Sequence, residues 1–202
     1  MNYHSENIVK KCLAERYDRN RYILCDKLPV RMNITYNKGF ETVFREQLER
    51  CGVEYFDVYL LHNVGRTLYE KQKTTGAFEF LSKKKKEGLT KYIGFSFHDK
   101  ADVLDRILSE QSQIDIVQLQ INWQDWTSSA IQSKLCYDVA TKHKKIISVM
   151  EPLKGGNLVN RLPDDAKSIL QNAGYTPAEF GLKYVASLEN VNLVLSGMGS
   201  IS

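Results

Sequence analysis

The chain has 202 residues, 43% of them hydrophobic and 26% charged, and carries a formal net charge of +4. This composition is that of an ordinary globular protein with one substantial core or two small domains, and the charge falls well short of a nucleic-acid-binding signature. No apolar run approaches the roughly 18 residues that a membrane span needs, and the first residues lack the order of a secretory signal. We therefore expect a cytoplasmic protein that binds neither nucleic acid nor membrane.

The apolar pattern predicts six strands with helices between nearly all of them. The strands are predicted at 22–25, 56–61, 92–95, 116–121, 146–150 and 191–195. Helices are predicted at 40–51, around 78–81, at 100–109, at 131–143 and at 177–187. Gly52 is expected to end the first helix and Thr176 to cap the last. In the helix at 131–143, Leu135, Val139 and Ala140 are expected to share one face.

Near-continuous apolar strands alternating with helices indicate an α/β fold with a parallel sheet buried on both faces. An open doubly wound sheet and a (β/α)8 TIM-type barrel both satisfy this pattern. Polar residues close successive strands, which favours the barrel, because a barrel gathers function at one mouth. The length suits about six of eight strands, the third to the eighth, in a single partial barrel domain over residues 1–202.

The run Lys83 to Lys86 has two interpretations. It could bind phosphate, but it continues a segment with Phe78 and Leu81 at helical spacing. The spacing favours four lysines on the solvent face of a helix.

The four cysteines are scattered and form no CxxC pair, which predicts neither a metal site nor a disulfide framework. Most of them are expected to be buried thiols. They are Cys12, Cys25, Cys51 and Cys136.

Lys27 and His62 close two of the predicted strands. A lysine at a barrel mouth can lower the pKa of a neighbouring acid or act as a base, but it can also extend its ammonium into solvent. A histidine there can donate a proton or a hydrogen bond, or can simply be a satisfied core residue. Ser96 and Gln118 are suited to bind an amide or hydroxyl of a ligand.

Several local strings occur in order and together are similar to the aldo-keto reductase family. They are Cys25-Asp26-Lys27-Leu28-Pro29, Asp57-Val58-Tyr59-Leu60-Leu61-His62, Ile93-Gly94-Phe95-Ser96-Phe97-His98, Asp125-Trp126, Met150-Glu151-Pro152-Leu153-Lys154-Gly155-Gly156 and Leu195-Ser196-Gly197-Met198. The variants at 97–99 and 150–156 resemble the branch described as iron–sulfur-containing aldo-keto reductases.

The resemblance implies a barrel that binds NADPH and transfers hydride to the carbonyl carbon of a small aldehyde or ketone. The family uses an Asp, Tyr, Lys and His tetrad, and Lys27 and His62 match its second half. The string that carries the Asp and Tyr would lie just before Met1, because Ser5-Glu6 matches the Ser-Glu that follows it. Tyr3 is an alternative donor if that loop is shortened. The resemblance therefore implies a chain truncated at both ends.

For the cofactor, the resemblance assigns Ser96 and Gln118 to the nicotinamide carboxamide. It places Met150 where many members stack an aromatic ring on the nicotinamide. Residues on either side of the pyrophosphate would be Pro152, Leu153, Gly156, Ser196 and Gly197.

Two further possibilities stay open. The first is a catalytically silent relative that keeps the scaffold for binding. The second is a truncated product whose open sheet would expose parallel edges and promote association of copies.

Overall fold

The computed structural model describes residues 4–29 and 39–197. The fold is α/β, with six strands that neighbour one another in chain order in one sheet. The strands are β1 (Cys25–Leu28), β2 (Phe56–Val64), β3 (Thr90–Phe97), β4 (Ile116–Gln120), β5 (Ile146–Met150) and β6 (Val191–Val194). The registered pairs β1–β2, β4–β5 and β5–β6 are parallel. The predicted fold class is thereby confirmed.

Helices separate the strands. They are α1 (His4–Val9), α2 (Phe40–Cys51), α3 (Arg66–Thr74), α4 (Ala77–Lys86), α5 (Ala101–Glu110), α6 (Ser133–Lys142), α7 (Asn157–Asn160), α8 (Asp164–Asn172) and α9 (Pro177–Ala186). The predicted caps are confirmed: Gly52 has φ 68° after α2, and the Thr176 side chain accepts from the Glu179 N–H at the start of α9. In the described ranges, no helix has the length and apolarity that crossing a bilayer requires.

The chain divides into two compact units. The first comprises Met1–Ser96 with Gln111–Asp115, and the second comprises Phe97–Glu110 with Ile116–Ser202. The expected single domain over 1–202 stays a prediction.

An aromatic cluster forms the centre of the first unit. Phe44 of α2 meets Phe56 and Tyr59 of β2 edge-on, with ring centroids 5.7 and 4.8 Å apart, and the two β2 rings stack at 5.4 Å. Such pairs contribute about 0.5–1.5 kcal/mol each beyond the apolar area they bury. The contacts fix α2 against β2.

The first strand begins three residues later than predicted. Cys25 to Leu28 pair with Val58 to Leu61, so Lys27 lies inside β1 rather than after it. The apolar run that suggested residues 22–25 includes Ile23, which is 67% exposed. Pairing with β2, rather than local hydrophobicity, sets where this strand lies. β2 also runs on to Val64, so His62 lies inside its strand.

Two predictions are wrong. Leu135 does not share a face with Ala140: Leu135 is 51% exposed, whereas Ala140 lies on the buried face of α6 with Ser133 and Cys136. Only two of the four cysteines are buried, since Cys12 and Cys25 are exposed.

The predicted solvent face of four lysines is also wrong at one position. The Lys84 side chain is 1% exposed, and its ammonium pairs with Glu41 of α2 at 2.6 Å and with Glu87 at 2.7 Å. It also lies 5.4 Å from the Phe44 ring centroid. Burial would lower the pKa of Lys84, but the hydrogen bonds to both carboxylates outweigh it and the pKa is raised. Lys84 therefore links α4 to α2.

We predict that Lys84→Ala lowers the free energy of unfolding by about 2 kcal/mol, because it removes a buried stem and two ion pairs. Lys83→Ala is the matched control. Its side chain is 65% exposed and its carboxylate contact is longer, at 3.7 Å, so its cost should stay below about 0.5 kcal/mol. Urea unfolding measures both, and equal losses would contradict the structural role of Lys84.

Candidate functional site

Three predicted site residues lie on adjacent strands of the first unit. Lys27 is in β1, His62 in β2 and Ser96 in β3. Lys27 pairs with Leu60, and paired residues of neighbouring strands point to the same side of the sheet. Side chains alternate along a strand, so His62, two residues after Leu60, points to that side as well. Lys27 and His62 therefore share a face. Their α-carbons lie about 8 Å apart, given strands about 4.8 Å apart and about 3.3 Å of rise per residue.

Ser96 connects β3 to the segment after His62. Its Oγ accepts a hydrogen bond of 2.8 Å from the Asn63 N–H, and Asn63 has a left-handed φ of 61°. A hydroxyl that accepts from the backbone can still donate its own proton. Ser96 is 1% exposed, so this group is fixed in position.

Lys27 lies in a partly desolvated environment. Burial lowers its pKa from the ordinary 10.5, and the nearby Cys25 and Asp26 oppose that effect. Its backbone carbonyl accepts from Gln47 Nε2 of α2 at 3.0 Å. The amine is thus poised as an acid–base or hydrogen-bonding group at the sheet.

Asp26, which the sequence did not single out, faces the opposite side of β1. One carboxylate oxygen accepts from the Lys27 N–H at 2.7 Å, and the other is buried without a partner among the described residues. Burial raises the pKa of Asp26 to about 7; the Lys27 N–H and Arg50 oppose the rise, and Glu6 adds to it. The sequence places Asp26 next to Lys27, but adjacency does not reveal that the two side chains lie on opposite faces of the strand.

Tyr59 lies on the same side as Asp26, because the two residues pair across β1 and β2. Its hydroxyl donates to Gln47 Oε1 at 2.5 Å. Burial raises the pKa of Tyr59 well above its ordinary value. This tyrosine faces away from Lys27 and cannot supply the proton that the resemblance assigns to a tyrosine.

Gln118 of β4 is the corresponding buried polar residue of the second unit. It pairs with Ser148 of β5, and its Nε2 donates to Ser148 Oγ at 3.4 Å. Its Oε1 is buried with no hydrogen-bond partner in the described structure. An unsatisfied buried acceptor costs about 1–3 kcal/mol, so an N–H donor from a ligand would be stabilised there.

The segment from Met150 to Gly156 leaves the end of β5 in strained backbone. Glu151 and Lys154 have left-handed φ values of 55° and 49°, and Gly155 and Gly156 follow at 62° and 86°. Left-handed non-glycine residues cost roughly 1–3 kcal/mol each and persist where surrounding contacts enforce them.

Two residues of this segment pack inward. Pro152 is buried and Leu153 is half-buried. Leu153 approaches Gly181 of α9 so closely that a β-carbon there would lie 2.4 Å from the Leu153 side chain. The glycine thus permits close packing of this segment on α9.

Ser196 and Gly197 follow β6 and are exposed. The Leu195 N–H just before them donates to the Val149 carbonyl at 2.9 Å, which anchors the end of this strand to β5. Tyr3 and Met198, which the resemblance also raised, lie outside the described residues.

Asp125, which follows β4, was quoted in the resemblance but was given no role there. Its buried carboxylate accepts from Lys154, Gln120 and Asn122 at 2.8–2.9 Å. The spacing Asn122-x-x-Asp125 was the available signal, since Asn122 Oδ1 also accepts from the Asp125 N–H. No group of three or more potential metal ligands occurs among the described residues.

Six strands that neighbour one another in chain order and alternate with helices are the arrangement of a (β/α)-barrel type of protein. The chain belongs to the aldo/keto reductase family, whose model matches residues 1–202. An aldo-keto reductase of Mycolicibacterium paratuberculosis is 26% identical over 161 residues, which are 78% of this chain and 52% of that protein. The chain thus spans about half the length of this curated relative.

Solved structures show the same fold. An aldo/keto reductase from Klebsiella pneumoniae in complex with NADP and acetate superposes with a TM-score of 0.76 at 20% identity, over 99% of this chain and 67% of that one. Another from the same organism, in complex with NADPH, gives a TM-score of 0.75 at 17% identity, with the same coverage. The iron–sulfur branch stays a prediction.

We predict that Asp26 makes stability fall as pH rises from about 4 to 7. The folded protein keeps this proton up to about pH 7, whereas the unfolded chain releases it near 3.8, so the folded state binds more protons between these values. Asp26→Asn keeps the oxygen that accepts from Lys27 and removes the charge. We expect it to raise the free energy of unfolding at pH 8 by about 1–3 kcal/mol.

Chemical unfolding of both proteins at pH 5 and pH 8 measures this difference. The gain at pH 5 should be about one third of that at pH 8, because pH 5 lies only about one unit into the interval from 3.8 to about 7 over which the folded state binds the extra proton. A gain of equal size at both values would show that the Asp26 charge is not its source.

Proposed function

We propose that the protein is an NADPH-dependent oxidoreductase of the aldo-keto reductase type, which reduces the carbonyl group of a small aldehyde or ketone. The observation that carries the proposal is the Oε1 of Gln118, which is buried and has no hydrogen-bond partner among residues 4–29 and 39–197. A nicotinamide carboxamide offers the N–H donor that this acceptor lacks. When bound, the reduced nicotinamide would supply the hydride.

Ser96 and Gln118 would hold the carboxamide, because each is buried and keeps hydrogen-bonding capacity on its side chain. Met150 would lie beside the ring, offering a soft thioether surface rather than an aromatic plane. Pro152, Leu153 and Gly156 would flank the diphosphate, with Ser196 and Gly197 on the strand that follows.

Lys27 and His62 would act on the carbonyl oxygen. Negative charge develops on that oxygen as hydride reaches the carbon, so a nearby ammonium and an imidazole donor stabilise the transition state. A phenol has an ordinary pKa near 10 and needs a cation beside it to release its proton at neutral pH. Lys27 would supply that cation to a tyrosine from the region before Ser5.

A catalytically silent binding protein is the second candidate. Tyr59 cannot replace the proton donor of the first candidate, because it faces away from Lys27 and its hydroxyl is already bonded to Gln47. NADPH binding without turnover of any carbonyl compound would support this candidate over the first.

We predict that the chain binds NADPH and that Gln118→Met weakens binding about tenfold, which corresponds to about 1.4 kcal/mol for one lost hydrogen bond. Methionine keeps the length of the side chain but cannot accept the carboxamide proton. The matched control is Gln171→Met on the exposed surface of α8. Quenching of tryptophan fluorescence by NADPH measures affinity, and equal values for all three proteins would contradict the role of Gln118.

We further predict that Lys27→Met and His62→Ala each reduce turnover about 100-fold, because each removes a group that stabilises charge on the carbonyl oxygen. NADPH oxidation with a panel of aldehydes and quinones measures the rates. Lys11→Met, at an exposed lysine, should leave them unchanged. Activity that survives both changes would contradict the assigned roles.

A further inference from the structure

A buried carboxylate organises the polar groups at the ends of β4 and β5. Asp125 is 4% exposed. Its Oδ1 accepts from Lys154 Nζ at 2.9 Å, and its Oδ2 accepts from Gln120 Nε2 and Asn122 Nδ2, both at 2.8 Å. Both oxygens are therefore occupied by protein donors.

These hydrogen bonds decide the charge of the group. Burial would raise the pKa of Asp125, but the Lys154, Gln120 and Asn122 donors outweigh it and the pKa lies below its ordinary value. Asp125 is consequently an anion at neutral pH. An anion bonded on both oxygens resists rearrangement, because breaking one bond would leave a buried charge poorly solvated.

The same network reaches two residues of the strained segment after β5. They are Glu151 and Lys154, the two non-glycine residues of that segment with left-handed φ. Asn122 Nδ2, which donates to Asp125, also donates to the Glu151 carbonyl at 3.2 Å. The Ile121 N–H donates to the Met150 carbonyl at 3.3 Å and fixes the point where the segment begins.

The backbone strain needs such tethers. Left-handed non-glycine residues are strained and persist only where surrounding contacts enforce them. The Asp125–Lys154 bond and the Asn122 bond to the Glu151 carbonyl are such contacts at both of these residues.

We propose that Asp125 is a positioning residue that, through Lys154 and Asn122, presets the segment from Glu151 to Gly156 for the diphosphate of the cofactor. The inference rests on the proposed function, which assigns this segment to NADPH. Asp125 itself does not touch the cofactor in this account. Asp125 orders the segment before the cofactor binds, so that binding does not have to include the loss of conformational entropy on ordering it.

A different role for Lys154 would give the opposite sign. If Lys154 served only as a cation for the cofactor phosphates, Asp125 would compete for it, and Asp125→Asn would strengthen NADPH binding. Positioning predicts weaker binding, by about tenfold or more, because the freed segment no longer holds its bound geometry.

The experiment compares Asp125→Asn, Lys154→Met and the double variant with the unmodified chain. Both single changes break the same bridge, so we expect each to weaken NADPH binding and the double variant to be little worse than either. The control variants are Lys134→Met and Asp138→Asn, which remove the same charges from an exposed pair of α6. They should leave the affinity unchanged.

Amide hydrogen exchange in the free protein provides the second measurement. Residues 151–156 should exchange faster in Asp125→Asn, while β4 and β5 keep their protection and the melting temperature shows the variant folded. Unchanged exchange in that segment would overturn the inference whether or not NADPH binds. If the unmodified protein fails to bind NADPH, the proposed function is overturned. Amide hydrogen exchange of residues 151–156 would then still test whether Asp125 orders this segment. Tighter binding, or fully additive losses, would also overturn the inference.

Discussion

Parallel pairing of each strand with the next along the chain is the constraint on which the rest of the structure depends. In β1 and β2 it places Lys27 opposite Leu60, which brings His62 to the same face and turns Asp26 and Tyr59 to the other. A slip of one residue would reverse these assignments, because side chains alternate across a strand. The register therefore determines which polar groups can act together, and aromatic packing of Phe44 on β2 holds it.

Much of the fold was predictable because its signals are local. The caps at Gly52 and Thr176 and the strand at 146–150 follow from residue types and spacing alone. The failures required information from elsewhere in the chain. β1 starts where β2 can pair with it, and Lys84 is buried because Glu41, 43 residues earlier, supplies a carboxylate. Spacing within a helix cannot reveal a partner on another helix.

The candidate site also contains residues with a local sequence signal and residues without one. Polar residues in otherwise apolar strands stand out in a sequence, and this signal identified Lys27, His62, Ser96 and Gln118. Asp125 was recognised only as part of the Asp125-Trp126 string, and its role could not be inferred because it depends on Lys154, 29 residues later. Asp26 was hidden for a further reason: its pKa depends on burial, and burial of a carboxyl beside a lysine cannot be read from their adjacency.

Each unit contains one energetically costly feature, a buried carboxyl oxygen in the first and left-handed backbone in the second. In the first, one oxygen of Asp26 is buried and has no partner within the described ranges, so the energetic cost of this carboxyl depends on pH and falls when it is protonated. In the second, Asp125 is saturated with donors while the backbone beside it is left-handed at Glu151 and Lys154. A site that must accept a large anionic ligand benefits from the second arrangement, because a fixed charge network can hold costly backbone geometry before the ligand arrives. Gln118 Oε1, which has no partner in the part of the chain that the structure describes, is the acceptor that the proposed function assigns to the cofactor.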